Sequence, residues 1–222
     1  MKAVLWDMDG TLIDTEPVWW RAETDIITRL GGEWTIEDCK ALIGSDLAAA
    51  VKIWMTRLPD GVTTEESLAA EVHGEVIRAL KEGVELQPGA LELLAALNAE
   101  GVPCALVSAS YRVMVDAALS HLPPEPFAVT VAGDEVTHGK PHPEPYLTAA
   151  RLLGVDPRDC VVLEDSRTGV ASGNASGAVV VAIPQHVPID PAPRRVVVDS
   201  LIHVTPAWLR ELMDSRRDGL AG

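Results

Sequence analysis

The opening of this chain constrains its fold more than any other stretch. Lys2 to Trp6 (KAVLW) is a short apolar run, and it breaks at once into Asp7-Met8-Asp9-Gly10-Thr11. A run of this kind predicts a buried parallel strand that delivers side chains to its carboxyl end. In open α/β sheets that end is where ligands bind. Asp7 and Asp9 would sit there together, a costly pairing unless positive charge lies between them. A hard cation such as Mg²⁺ meets that need, because it takes oxygen ligands and few carboxylates. Gly10 lets the chain leave the strand tightly. The competing reading is an acidic surface turn after a strand, and the other strand ends decide between the two. An EF-hand is excluded, since the glycine comes too early and no terminal Glu follows.

A chain of 222 residues can bury a full core or carry a core with an insert. Its formal charge of −15 disfavours nucleic acid and anionic membranes as partners. The N-terminus has no cleavable apolar segment, and no run reaches transmembrane length. Cys39, Cys104 and Cys160 are odd in number and scattered, which suits a reducing compartment; a cytoplasmic location is expected.

After the first strand the texture is helical. Thr15 is a candidate N-cap with Pro17 in the first turn, opening a helix to about Leu30 that stops at Gly31-Gly32. Further helices are predicted from Thr35 to Gly44, from a Ser45 cap to Leu58, and from a capping box at Thr63–Glu66 to Gly83. Thr15 to Leu86 shows no convincing strand. From Pro88 the pattern alternates: helix to Glu100, strand 102–107, helix 111–121, strand 127–132, helix 143–153, strand 160–163, helix 166–176, strand 178–183. That alternation predicts parallel βαβ units. The expected fold is α/β, a doubly wound parallel-sheet core (1–14 and 87–222) with an all-helical cap (15–86) inserted after the first strand. Such an insert is well placed to act as a lid. The Pro-rich stretch Pro184–Pro193 is read as a late loop.

The strand ends can then be compared. One carries Asp7 and Asp9, a second Ser108, a third Glu164 and Asp165; Lys140 lies between the last two, in Gly139-Lys140-Pro141-His142-Pro143. A nucleophile-capable carboxylate, an acid/base carboxylate, a hydroxyl, an ammonium and two more carboxylates suit phosphoryl transfer.

These four motifs in this order resemble the haloacid dehalogenase (HAD) superfamily, in the helical-cap subgroup similar to β-phosphoglucomutase and sugar-phosphate phosphatases. WDMDGTLIDTE, LVSAS, GKPHPEPY and VVLEDSRTGVASGNASG carry the resemblance, with Trp6 where Phe is commonest. The resemblance implies that Asp7 attacks phosphorus and that Asp9 is the acid and base. It implies Mg²⁺ held by Asp7, the Asp9 carbonyl and Asp165, with Glu164 in or beside the coordination sphere. Ser108, the backbone after it at Ala109, and Lys140 would hold the phosphate. A small phosphorylated metabolite is the expected partner, and a monomer the expected state. With Asp at position 9 the chain resembles the phosphate-ester branch of that superfamily. The mutase alternative would need cationic cap residues; Ile43–Leu47 has none, although Lys40 and Lys52 flank it. DTEPVWWRAE is instead similar to the opening of bacterial hexose-phosphate phosphatases, which points to one phosphate on a neutral polyol.

Several residues stay open between roles. Trp19 is either a surface for a sugar or cap core, and Trp20 is read as core or cap surface. Arg112 is either a substrate contact or a solvated residue at a helix start. Glu16 is read as a helix N-terminal anion. His73 is read as structural or exposed. His138 and His142 flank Lys140, but Asp9 already fills the acid/base role. Asp134 is expected to orient Lys140.

Overall fold

The computed structural model describes residues 1–43 and 47–218. The chain forms β1 (Ala3–Trp6), turns at Gly10 and makes the short β2 (Ile13–Asp14). Four helices follow: α1 (Glu16–Arg29), α2 (Ile36–Ala41), α3 (Leu47–Met55) and α4 (Glu65–Glu82). The chain returns through β3 (Glu85–Leu86) and α5 (Ala90–Ala99) to β4 (Cys104–Val107). Then come α6 (Arg112–Leu119), β5 (Val129–Val131), α7 (Glu144–Leu153), β6 (Cys160–Glu164), α8 (Arg167–Ser176), β7 (Val179–Ala182), β8 (Arg195–Val197) and α9 (Pro206–Asp218).

Six of the strands make one parallel sheet in the order β5-β4-β1-β6-β7-β8. The chain winds outward from β1 through β4 to β5, then crosses back by α7 to lay β6 on the other side of β1. This is a doubly wound α/β sheet, and the reversal of direction leaves a crevice at the carboxyl ends of the central strands. Strand residues alternate between faces. Val4, Trp6, Leu106 and Leu163 join one apolar cluster with α5 and α9, while Leu5, Ala105, Val107 and Val162 join another with α7 and α8. Both faces are covered, which is why these strands read as unbroken apolar runs.

Register sets the site. Trp6 lies opposite Leu106 and Leu163, so the next residue along, Asp7, is level with Val107 and Glu164. Three strands thus end together.

The helical block packs by helical periodicity. Leu68, Val72, Val76 and Leu80 form a fully buried stripe on α4. Ile26 and Ile27 of α1 and Trp54 of α3 complete its interior. The block is bracketed by β2 and β3, which pair antiparallel, Ile13 with Leu86 and Asp14 with Glu85. This ribbon was not anticipated: two-residue strands are too short to show a period. β8, beyond the late Pro-rich loop, was likewise missed. The expected capping box at Thr63–Glu66 is a simple cap, Thr64 accepting from the Ser67 amide. The reciprocal box forms instead at Thr35, where Asp38 occupies the third helical position. The expected break at Gly44 and cap at Ser45 lie outside the described residues.

Candidate active site

Asp7 emerges from β1 almost wholly buried. Lys140 Nζ donates to Asp7 Oδ1 at 2.5 Å, to Glu164 Oε1 at 2.6 Å and to the Val107 carbonyl at 3.0 Å. One ammonium therefore ties together the ends of β1, β4 and β6. Glu164 is saturated by its other partners. Tyr146 Oη donates to Oε1 at 2.8 Å, and the Ser166 amide and hydroxyl donate to Oε2 at 3.2 and 3.0 Å. Gly169 of α8 presses on the same carboxylate, leaving no room for a Cβ. Gly10, at φ +80°, is packed in the same way against Asp165. Expected to help hold a metal, Glu164 has most of its hydrogen-bonding capacity committed to Lys140, Tyr146 and Ser166.

Asp9 has different company. Its Oδ1 accepts from Thr15 Oγ1 at 2.9 Å, and its Oδ2 from Ser108 Oγ at 3.0 Å and Ser110 Oγ at 2.9 Å. Thr15 heads α1, as expected, yet its side chain caps nothing in the helix because it is given to Asp9. Ser108, expected at a phosphate, bonds Asp9 and accepts from the Ser110 amide at 2.9 Å. Ser110 was overlooked as a site residue: it ends the LVSAS motif, but spacing alone does not show that its hydroxyl reaches Asp9.

Asp7, Glu164 and Asp165 offer oxygen atoms within 4.8 Å of one another. Burial, reinforced by their mutual repulsion, pushes Asp7 and Asp165 up, with Lys140 pulling against it. Burial alone would lower Lys140, but Asp7 and Glu164 outweigh it and keep the ammonium protonated. Three buried carboxylates facing one ammonium are short of positive charge by two units. A divalent cation with a taste for oxygen fits that deficit, and Mg²⁺ fits the donor set.

A cavity of about 420 Å³ lies over these groups, between the strand ends and the helical block. Asp9, Ser108, Ala109, Lys140 and Asp165 line its floor. Trp19, Trp20 and Trp54 contribute to its far wall, together with Glu16, Glu23 and His73. His73 sits edge-on to Trp19, with ring centres 5.9 Å apart, and to Tyr111 at 5.4 Å, so it bridges α4 to the start of α6. Burial lowers its pKa. Glu16 is pushed up to about 7 by burial first, then by Asp9 and Glu23. Glu23, which the sequence did not single out, is buried and accepts from Trp34 Nε1 at 3.0 Å; burial also raises it to about 7.

Two residues named beside the site are engaged elsewhere. Arg112 does not line the cavity; its guanidinium is bound by Glu135 at 2.6 Å, by Asp116 and by Thr130. Asp134 does not orient Lys140; its carboxylate accepts from the Arg112 amide at 2.9 Å at the start of α6. Among the described residues, Lys140 is the only Lys or Arg lining the cavity. Lys40 pairs with Glu37 at 3.0 Å on the surface.

Residues 1–177 match the family model described as haloacid dehalogenase-like hydrolase. The chain belongs to the haloacid dehalogenase-like hydrolases. It is 37% identical to hexitol phosphatase A of Escherichia coli over 208 residues, covering 91% of this chain and 90% of that one. With hexitol phosphatase B of the same organism it shares 32% over 184 residues, 82% of this chain and 83% of that one. Among solved structures, CbbY from Rhodobacter sphaeroides in complex with phosphate superposes with a TM-score of 0.83 at 26% identity, covering 95% of this chain and 99% of that one. Among the described residues, no helix of this hydrolase is long and apolar enough to cross a membrane.

Proposed function

We propose that the chain is a Mg²⁺-dependent phosphatase that hydrolyses a small sugar or sugar-alcohol phosphate through an aspartyl-phosphate on Asp7. The observation that carries this reading is the contrast between two carboxylates on one loop. Asp7 is locked by Lys140 at the floor, while Asp9 is held by the hydroxyls of Thr15, Ser108 and Ser110. Paired carboxylates in unlike environments take unlike roles.

The Asp7 carboxylate attacks phosphorus, and Asp9, in its protonated form, gives its proton to the departing sugar oxygen. Asp9, now ionised, takes a proton from water, which attacks the phosphorus of the aspartyl-phosphate and releases inorganic phosphate. Lys140 fixes the attacking carboxylate and offsets phosphate charge. Ser108 and the backbone at Ala109 turn to the phosphate oxygens. Asp7, Asp165 and the Asp9 carbonyl would hold Mg²⁺, with Glu164 beside them; bound there, the ion would supply charge that draws the phosphate to Asp7.

In the proposed enzyme a core (1–14 and 87–222) and a cap (15–86) enclose the substrate between them. The cap wall favours one phosphate on a neutral, hydroxyl-rich body. It is aromatic and acidic, and a second phosphate would meet no Lys or Arg among the described lining residues. The relatives named as hexitol phosphatases agree with that choice. A bisphosphate-primed mutase would need a cation in the wall.

Phosphate release from a panel of hexose, hexitol and glycerol phosphates and nucleotides, with Mg²⁺ or EDTA, tests this. Metal-dependent release concentrated in hexose or hexitol monophosphates is expected. Isomerised product without free phosphate, seen only with a sugar bisphosphate, would replace the phosphatase by the mutase.

A further inference from the structure

The loop that presents Lys140 carries a second group of metal-ligating side chains. His138, His142 and Glu144 offer ligand atoms within 4.8 Å of one another. His138 Nδ1 is 2.8 Å from Glu144 Oε2, and His142 Nδ1 is 4.0 Å from it. The two imidazoles are tilted against each other with centres 4.7 Å apart. Tetrahedral coordination at about 2.1 Å places neighbouring ligand atoms about 3.4 Å apart. The observed separations bracket that value, and His142 Nδ1, which accepts from the Glu144 amide at 3.2 Å, would exchange that hydrogen bond for the ion. Both histidine side chains are more than half exposed, so small rotations close the difference.

We propose that His138, His142 and Glu144 form a Zn²⁺ site on the outer face of this loop, separate from the acidic cluster at Asp7. The ligand chemistry separates the two. Two imidazoles and one carboxylate suit Zn²⁺, with water as the fourth ligand, whereas Mg²⁺ prefers the all-oxygen set. Glu144 already gathers the loop, accepting from the Thr137 amide at 2.7 Å and the His138 amide at 3.0 Å. Zn²⁺ bridging His138 to His142 therefore clamps the backbone on both sides of Lys140. The phosphoryl transfer proposed above uses neither histidine, and the site does not depend on the identity of the substrate.

The test is calorimetric titration of Zn²⁺ into the metal-stripped protein at saturating Mg²⁺, for wild type, His138→Gln, His142→Gln and the double variant. Wild type is expected to show one Zn²⁺ site, each single variant to bind at least about tenfold more weakly, and the double variant to lose it. Circular dichroism checks that the variants keep the wild-type fold, which exposed positions should allow. Equal Zn²⁺ affinity in wild type and the double variant would overturn the proposal. So would a site that survives in the double variant and disappears in Asp165→Asn, since Zn²⁺ would then be competing for the acidic cluster.

Discussion

At the scale of residues, the two carboxylates of the first motif divide the chemistry by their partners. On the proposed mechanism Asp7→Asn would remove the nucleophile, and it is expected to lower kcat by more than about 10⁴-fold without changing the circular dichroism spectrum. Asp9→Asn would remove the proposed proton transfer and is expected to cost about 10²–10⁴-fold. Glu23 lends itself to a test of stability. Its folded-state pKa is raised from 4.5 to about 7, burial being the main cause. The folded chain therefore holds this proton at pH values where the unfolded chain has lost it. The stability associated with Glu23 is present below about pH 4.5 and is lost as pH rises to about 7. Cys39, which neighbours it, stays a neutral thiol, raised to about 11 by burial. Glu23→Gln keeps an acceptor for Trp34. The stability of this variant relative to wild type should rise by about 2–3 kcal/mol between pH 4.5 and pH 8, measured by urea denaturation. A difference that does not vary with pH would show that Glu23 ionises freely in the fold.

At the scale of elements, α8 approaches β6 so closely that Gly169 lies against the Glu164 carboxylate. Alanine favours a helix over glycine by about 1 kcal/mol, so propensity alone would make Gly169→Ala stabilising. The expected result is the opposite: a lower Tm and at least tenfold lower kcat, because displacing Glu164 loosens Lys140. Strands β1, β4, β5, β6 and β7, most helices and the four motif loops were legible because each has an apolar run, a period, a cap or a functional residue type. The α4 helix was legible from the Thr63–Glu66 start and the Gly83 stop, and Leu68, Val72, Val76 and Leu80 form its buried stripe. The β2–β3 ribbon carries no such signal, being made by pairing across the whole inserted block. Thr15 looked like a cap because capping is the usual work of threonine before a helix; only the fold brings Asp9 to its hydroxyl. Arg112 stayed open between a substrate contact and a solvated helix start, because only the fold shows Glu135 and Asp116 holding its guanidinium.

At the scale of the whole molecule, a chain of net charge −15 binds an anion through one local cation and the metal it is proposed to hold. Diffusional encounter with a phosphate ester is then opposed by the global field. Raising ionic strength from 0.01 M to 0.15 M shortens the screening length from about 30 Å to about 8 Å. At saturating Mg²⁺, kcat/KM for a sugar phosphate is therefore expected to rise about twofold over that range, as read by initial rates. A fall would mean that the field at the cavity mouth is positive. The aromatic, acidic wall formed by α1, α3 and α4 was only partly legible, since Glu16, Trp19 and Glu23 stand in a recognisable stretch but Trp54 reaches the cavity by helix packing. The most direct test of the account is acid quenching of Asp9→Asn during reaction with the best substrate of the panel, followed by peptide mass mapping. The account predicts one added phosphoryl group on the peptide containing Asp7, absent when Asp7 is also replaced by Asn. Phosphate release with no labelled peptide, or a label on any other residue, would contradict it.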